Sequence, residues 1–519
     1  MRHLIFGLFL TISITGFSQS NQILVLNNER ILGRSLVDSS VIKGLEFTFP
    51  ERIHVALFDA STGYLTAQLR GLRRNRRRLT NDGSIVKFDI NNRKVVWSKL
   101  MNFQFSHIRH VNNTLIKTEG IYSTFIDADT GRPLWQITNN LLFADPHFNI
   151  GLGYNTRISR KESNTLEGIN LNYGNVVWER YLNREFGWNN LFYLNDSTIM
   201  VVADGLNKID LQTGKGWSYH TITGQKDYGR TAATNVLGIA TGLLTGAFFI
   251  TTGHDIINGI MSNTLRSCSY IYFASKEQLA KIDLITGEIV WKSTLPDDLV
   301  SSSNIFMNDS VIFMVNRGVA FMGLRALEFG KPFFAAFDRH TGEQIFFTLM
   351  DDTYGTVQHS YIRDRYIFKI LGNKVLKFSK DSGALIAKRN IPQDAYGVLR
   401  YFVGERVYIS NPDGNFMNIR QTDTNNVFVF TSLDKVLSLG EYLQITTKFE
   451  FEDISVNFLQ INDFRLIARG SKTWVVDQAG KKIAEIEASR DAFLAGNTLY
   501  DYQENRFLAI DLSEILPKE

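Results

Sequence analysis

A short phrase recurs along this chain: a hydrophobic strand, then Asp-x-x-Thr-Gly, then a second strand that closes on Trp. Its clearest copies run from Asp283 through Thr286 and Gly287 to Trp291, and from Asp127 through Thr130 and Gly131 to Trp135. The chemistry is that of a turn. An Asp side chain can accept hydrogen bonds from backbone N–H groups just ahead of it, and Gly takes the positive φ of a bulged hairpin. The closing Trp is large enough to fill the gap between one unit and the next. Further copies begin at Asp59, Asp89, Asn170, Asp210, Asp338 and Ser379, with weaker echoes at Asp477 and Asp511. Several successive copies lie roughly forty residues apart, the length of one four-stranded propeller blade. Asp59 and Asp89 are closer than that, so the first copy reads as partly degenerate.

With 519 residues the chain is too long for one ordinary core. A repeat protein escapes that limit, because each unit buries its faces against its neighbours. The 38 Phe, 19 Tyr and 7 Trp suit many packed strands. The expected fold class is all-β: a closed β-propeller of four-stranded antiparallel blades, eight by expectation, with seven to ten compatible with the echoes. Strands from the two ends of the chain, residues 23–32 and 507–512, are expected to share a blade and so remove free edges. The formal charge of +4 is small for this size and does not point to nucleic acid.

The N-terminus has the pattern of a secretory signal peptide over residues 1–18. Arg2 supplies the positive start, residues 4–15 the apolar run, and Gly16 and Ser18 the small residues before a cut at Gln19. The run is short for a spanning helix, which needs about 20 apolar residues. Residues 19–519 are then one propeller domain, exported and either periplasmic or outer-membrane associated. Cys268 is the sole cysteine, so no intrachain disulfide forms and no cysteine near the cut could carry a lipid.

Three segments interrupt the repeat. The largest is an insertion over residues 222–268. Within it, 231–253 carries no charge, and Gly238, Gly242 and Gly246 recur every fourth residue, followed by Phe248 and Phe249. On a helix those glycines share one face, where small residues let another backbone approach. An apolar helical hairpin is expected, with residues 256–265 as its second arm. It could pack on the propeller, dock on a partner protein, or contact a membrane surface through 231–253. The second segment packs Arg70, Arg73, Arg74, Arg76, Arg77 and Arg78 into nine residues, placed between blades and suited to phosphates, anionic lipid or an acidic partner. A solvated loop is the plain alternative. The third, residues 318–330, lengthens one strand connection. All three are expected on the rim opposite the Asp-x-x-Thr-Gly turns, provided the large insertion precedes the first strand of its blade.

The phrase and its spacing resemble the pyrroloquinoline-quinone-like repeat superfamily of β-propellers, best between Asp89 and Gly383. That superfamily includes quinoprotein alcohol dehydrogenases and the propeller lipoprotein of the β-barrel assembly machinery. The quinone-dependent members hold their cofactor in the funnel with calcium, and many stack it on a disulfide between adjacent cysteines. One cysteine rules out that disulfide, and no recognisable set of calcium ligands is present. The expected cofactor is none. The resemblance implies an interaction scaffold with envelope protein partners, without the lipid-attachment cysteine of the assembly lipoprotein.

Other chemistry is thin. His107 and His110 are three apart, and strand alternation sends them to opposite faces. Asp297-Asp298 and Asp351-Asp352 read as turn residues, and no nucleophile elbow or phosphate loop occurs. A non-catalytic exported scaffold is the leading reading. Two others stay open: a diverged quinoprotein-type dehydrogenase or other enzyme with its site in the funnel, and a glycan- or ligand-binding module.

Overall fold

The computed structural model describes residues 23–513 and 515, apart from 75–77, 105, 112–113, 157–163, 227–255, 323–324, 351–356, 404–405, 411–415, 421–425, 434, 451–453, 462 and 470. Residues 1–18, read from the sequence as a signal peptide, lie outside the described residues. Apart from one short helix at Gln393–Tyr396, every regular element among the described residues is a strand.

Ten four-stranded antiparallel units follow one another among the described residues. Eight are separate sheets, and two more lie inside one eleven-stranded sheet. Unit 1 is Arg52–Asp59, Tyr64–Leu72, Leu79–Asp89 and Lys94–Asn102. Units 2, 3 and 4 run from Ser106–Val111 to Pro133–Ile137, from Asn139–Asp145 to Val176–Tyr181, and from Asn190–Tyr193 to Ser218–His220. Units 5, 6 and 7 begin at Leu265–Ser267, Ser303–Met307 and Val357–Arg363. Units 8 and 9 begin at Leu399–Phe402 and Ile454–Ile461. Ten blades sit at the upper end of the expected range rather than at eight.

The turn phrase does what its chemistry predicts. Asp127 Oδ1 accepts from the backbone N–H of Asp129 at 2.8 Å and of Thr130 at 2.7 Å, and from the Thr130 hydroxyl at 3.1 Å. Asp283 and Asp338 repeat the two backbone bonds. Just past each of these turns the ladder slips by one residue, the bulge that positive-φ Gly permits.

The closing Trp reaches across to the following unit. Trp97, Trp135, Trp178, Trp217 and Trp291 donate their indole N–H to Ala128, Leu171, Leu211, Leu284 and Arg339 carbonyls, each in the next unit's turn, at 2.8 to 3.2 Å. Each ring also lies on the Gly of that turn, so close that a Cβ there would come within 2.5 to 2.8 Å of it. Gly is therefore required twice over, for its φ and for its missing side chain. A second tie escaped the sequence reading. Lys recurs two residues before the turn residue, and its amino group bridges to the next unit: Lys87 to Asp129, Lys208 to Leu284 O, Lys377 to Glu441 O.

Two copies of the phrase belong to one unit, which corrects the reading of a degenerate first blade. Asp59 makes the turn between strands one and two of unit 1, and Asp89 that between strands three and four. The two turns touch, with Ile90 N–H donating to Gly63 O at 3.0 Å. In unit 8 the phrase is absent, and its place is taken by a turn with Leu443 at φ 63. Asp477 marks a regular unit 9.

The ring closes as expected, with the C-terminal strand that was expected and a different strand from the N-terminal end. Unit 10 is Phe493–Ala495, Thr498–Gln503 and Arg506–Asp511, completed by Val41–Thr48 from the N-terminal end. Leu26–Ser35, which overlaps the expected segment, lies one strand further out and pairs with both Val41–Thr48 and Lys482–Ile486 of unit 9. Phe47 and Phe507 then pack with Phe88 of unit 1 in one buried cluster.

The first strands of neighbouring units converge, as expected for the axis-facing edges of radial blades. Arg109 Nη1 of unit 2 reaches Leu141 O of unit 3 at 3.0 Å, and the Tyr193 hydroxyl of unit 4 reaches Asp145 of unit 3.

Candidate functional site on the insertion rim

Antiparallel alternation sorts every connection onto one of two rims. The Asp-x-x-Thr-Gly turns occupy one. The connections between strands two and three, and those between units, occupy the other. The large insertion follows strand four of unit 4 and precedes strand one of unit 5. The 318–330 segment joins strands two and three of unit 6. The arginine loop joins strands two and three of unit 1, so it lies within a unit rather than between blades. All three interruptions thus leave from the same rim. Unit 1 is not a neighbour of units 5 and 6 in the ring, so the arginines stand apart from the other two.

Those other two form a structure of their own. Gly224–Lys226 and Ile256–Asn258, the flanks of the insertion, pair with each other and then with the hairpin Val319–Met322 and Arg325–Glu328. This four-stranded sheet corrects the expectation that 256–265 is a helical arm. Its short core is Ile257, Ile260 and Ala320, with Met322, Leu327 and Phe329 packed on them.

The sheet is fastened to the ring by buried polar side chains. Asn316, wholly buried at the end of a strand in unit 6, accepts from Ser301 N–H at 2.7 Å and from the Ser301 and Ser303 hydroxyls at 3.0 and 2.9 Å. Its amide donates to Leu299 O and Lys331 O at 2.8 and 2.6 Å. Ser301 Oγ in turn accepts from Gly318 N–H at 2.9 Å, where the hairpin departs. Asn189 Oδ1 accepts from Gly259 N–H at 3.1 Å and so ties down the insertion's return strand. Sequence reasoning missed both asparagines, because a single buried Asn leaves no periodic signal.

Gly238, Gly242, Gly246, Phe248 and Phe249 lie outside the described residues. Their flanks do not: Lys226 and Ile256 are direct partners across the hairpin, so the segment 227–255 leaves and re-enters the rim at one point. Of the arginines, Arg76 and Arg77 are outside the described residues. Arg73, Arg74 and Arg78 are exposed, and Arg73 N–H closes the loop onto Arg78 O at 2.8 Å. Among the described residues no carboxylate pairs with them. Arg70, at the base, donates to Thr80 O at 2.8 Å and stands 5.2 Å over the Phe103 ring. Burial, then the charge of Arg73, pulls its guanidinium below the ordinary value.

His107 lies in the first strand of unit 2; burial and Arg109 lower it. The His110 side chain and the pair Asp351-Asp352 are outside the described residues. Asp297 and Asp298 are exposed after the last strand of unit 5. Cys268 is exposed at a hairpin tip of unit 5 on the turn rim. Among the described residues no group of three or more His, Cys, Asp or Glu is arranged to hold a metal ion, and no helix is long and apolar enough to cross a membrane. The donor set does not fit a calcium-bound quinone stacked on a disulfide.

Residues 81–293 match the profile of the family described as "Outer membrane protein assembly factor BamB". That stretch, under half of the chain, is similar to the PQQ-like propeller repeat. The match to that repeat family begins in strand three of unit 1 and ends in the last strand of unit 5, the stretch where the Trp-on-Gly contact is regular. The structure of BamB from Moraxella catarrhalis is 17% identical, with a TM-score of 0.34, over 70% of this chain and 96% of that one. A europium-containing methanol dehydrogenase is 9% identical, with a TM-score of 0.29, over 73% and 84%. A eukaryotic initiation factor is 10% identical, with a TM-score of 0.33, over 94% and 98%. Likenesses this weak say nothing of function. No curated protein matches the chain.

Proposed function

We propose that this protein is an exported propeller of the bacterial cell envelope that works as a protein-interaction scaffold, docking its partner on the insertion rim. One observation carries the reading. A dedicated sheet, braced by Asn316 and Asn189, holds side by side on that rim the two ends of segment 227–255, whose stretch 231–253 is uncharged and glycine-spaced. A chain that needed only to connect units 4 and 5 would have no use for it. The family profile over units 1 to 5, with its description as an outer-membrane assembly factor, supports placing the partner in the envelope. In this reading Gly238, Gly242 and Gly246 admit a partner backbone, Phe248 and Phe249 supply apolar contact, and Arg73, Arg74, Arg76, Arg77 and Arg78 meet an acidic or phosphate-bearing surface.

The test is affinity purification of the tagged full chain from envelopes, beside a chain in which a two-residue turn joins Lys226 directly to Ile256. The shortened chain keeps the rim sheet and is expected to lose its envelope partner. Retention of every partner by the shortened, folded chain would falsify the docking role. Membrane flotation of both chains separates loss of a protein partner from loss of a lipid contact. N-terminal sequencing of the exported form is expected to begin at Gln19.

A further inference from the structure

A cleft of about 250 Å³ opens between units 6 and 7, lined by Asn304, Arg317, Val357, Gln358, His359 and Ser360. Asn304 and residues 357–360 belong to first strands, so the cleft lies on the axis side. Arg317 follows Asn316 directly, so it also lies at the insertion rim. That volume is below the ~300–1,000 Å³ of sites for drug-sized ligands. It suits a small group.

The cleft is built from donors. Arg317 is held by its backbone, with its N–H on Ser302 O at 2.9 Å and its carbonyl taking Val357 N–H at 2.8 Å. Among the described residues its side chain spends only Nε, on Val357 O at 3.3 Å, which leaves the hydrogens of both Nη groups to donate. His359 accepts the Phe402 backbone N–H at Nδ1, at 3.3 Å. The neutral ring therefore carries its proton at Nε2, as a donor. Ser360 Oγ accepts from the amino group of Lys369 at 3.2 Å, which leaves its own hydrogen to donate. Lys369 is wholly buried, and besides Ser360 its amino group has, among the described residues, only the face of Phe334, 5.7 Å away.

No carboxylate lines the cleft, and none pairs with Arg317 or Lys369 among the described residues. Burying cationic groups without a counter-charge is costly. The surroundings lean the same way. The first strands of the ten units carry five arginines against two aspartates, Asp59 and Asp145, and Asp145 is engaged by Tyr193.

We infer that this cleft is a binding site for a small oxyanion group, a carboxylate or phosphate, held by Arg317 and Ser360, with His359 at its edge and Lys369 behind Ser360 as a charge reserve. The site is independent of partner docking through 227–255. Arg317 sits between Asn316 and the rim hairpin, so a bound anion would also stiffen the base of the rim sheet.

Isothermal titration of the full chain with inorganic phosphate, and separately with acetate, in chloride buffer reads the site directly. One saturable site is expected for at least one of them, and the arm that binds distinguishes phosphate from carboxylate. Arg317→Met keeps the backbone bonds and is expected to weaken binding at least tenfold. Lys369→Met is expected to weaken binding several-fold while raising the melting temperature of the ligand-free chain, because an apolar side chain of similar length replaces a buried amine. A merely structural lysine would change stability alone. If Arg317→Met does not fold, Lys369→Met decides in its place. Absence of saturable binding by the wild type, or wild-type affinity in a folded Arg317→Met chain, overturns the assignment.

Discussion

Trp217 and Gly287 are in contact although the whole insertion lies between them in sequence. The indole donates to Leu284 O at 3.1 Å, and a Cβ added to Gly287 would meet the ring at 2.5 Å. The same contact joins each neighbouring pair of units from 1 to 6, so the ring is held by repeated pairs in which one residue supplies bulk and the other its absence.

Gly287→Ala is expected to cost more than a turn glycine with open space. Gly120 also has positive φ, at 58°, but nothing lies within 4 Å of its Cβ position. Gly120→Ala should therefore show only left-handed strain, about 1–2 kcal/mol. Gly287→Ala adds the clash with Trp217, a further ~1–3 kcal/mol. Urea denaturation of the two variants measures the difference; equal losses would mean that φ alone requires the glycine.

Trp178→Phe keeps most of the ring but leaves the Leu211 carbonyl without its 2.8 Å donor. The expected loss is about 1–3 kcal/mol, the cost of a buried acceptor left unpaired. Trp178→Ala should lose ~3–5 kcal/mol as packing goes as well. Thermal melts of both, beside the wild type, give the ordering.

Acid should loosen the turns. Backbone N–H groups of Thr130, Thr286 and Thr341 are the main cause that holds Asp127, Asp283 and Asp338 below the usual carboxylate range. A depressed folded value means that their contribution is present above the unfolded value, near ~3.9, and is lost as pH falls through the folded one. Asp338→Asn keeps an acceptor oxygen and cannot titrate. Its denaturation midpoint is expected to fall less steeply below about pH 4. A slope parallel to that of the wild type would remove Asp338 from the acid response.

Asn316→Ala removes five hydrogen bonds at a wholly buried position. A loss of at least ~3 kcal/mol is expected, since several buried groups lose their partner together. Amide exchange should accelerate first in Val319–Met322 and Ile256–Asn258, where the rim sheet is anchored. Uniform acceleration around the ring would mean that Asn316 braces unit 6 rather than the rim.

Much of the fold was legible because its turns use side chains that advertise themselves. Asp accepting from the residues ahead, Gly at positive φ and Trp eight residues on mark units 2 and 5 almost without remainder, and unit 6 repeats them with Phe346 in place of Trp. Unit 8 was invisible, since Leu443 takes the left-handed position there and leaves no motif. Unit 1 looked like a broken blade because the same chemistry serves both of its turns on one rim. The signal was real; which strands it joined was not in it.

The rim tells the same story from the other side. Local sequence was enough to find the three interruptions, since each breaks a period, but it put the large insertion on the shared rim only on condition that it precedes the first strand of its blade, and the structure met that condition. It could not foresee that the flanks of one would pair with another, because Ile256–Asn258 and Val319–Met322 meet only once unit 6 has been laid beside unit 5. Nor could it find Arg317 and His359 lining one cleft, since they stand on different units and are brought together by ring geometry. Turn chemistry is local and is written in consecutive residues, so the chain's sequence alone determined a closed ring of hairpin units. Strand partners beyond a hairpin, and side chains that converge from separate units, depend on packing between distant segments, and only the tertiary structure decided them.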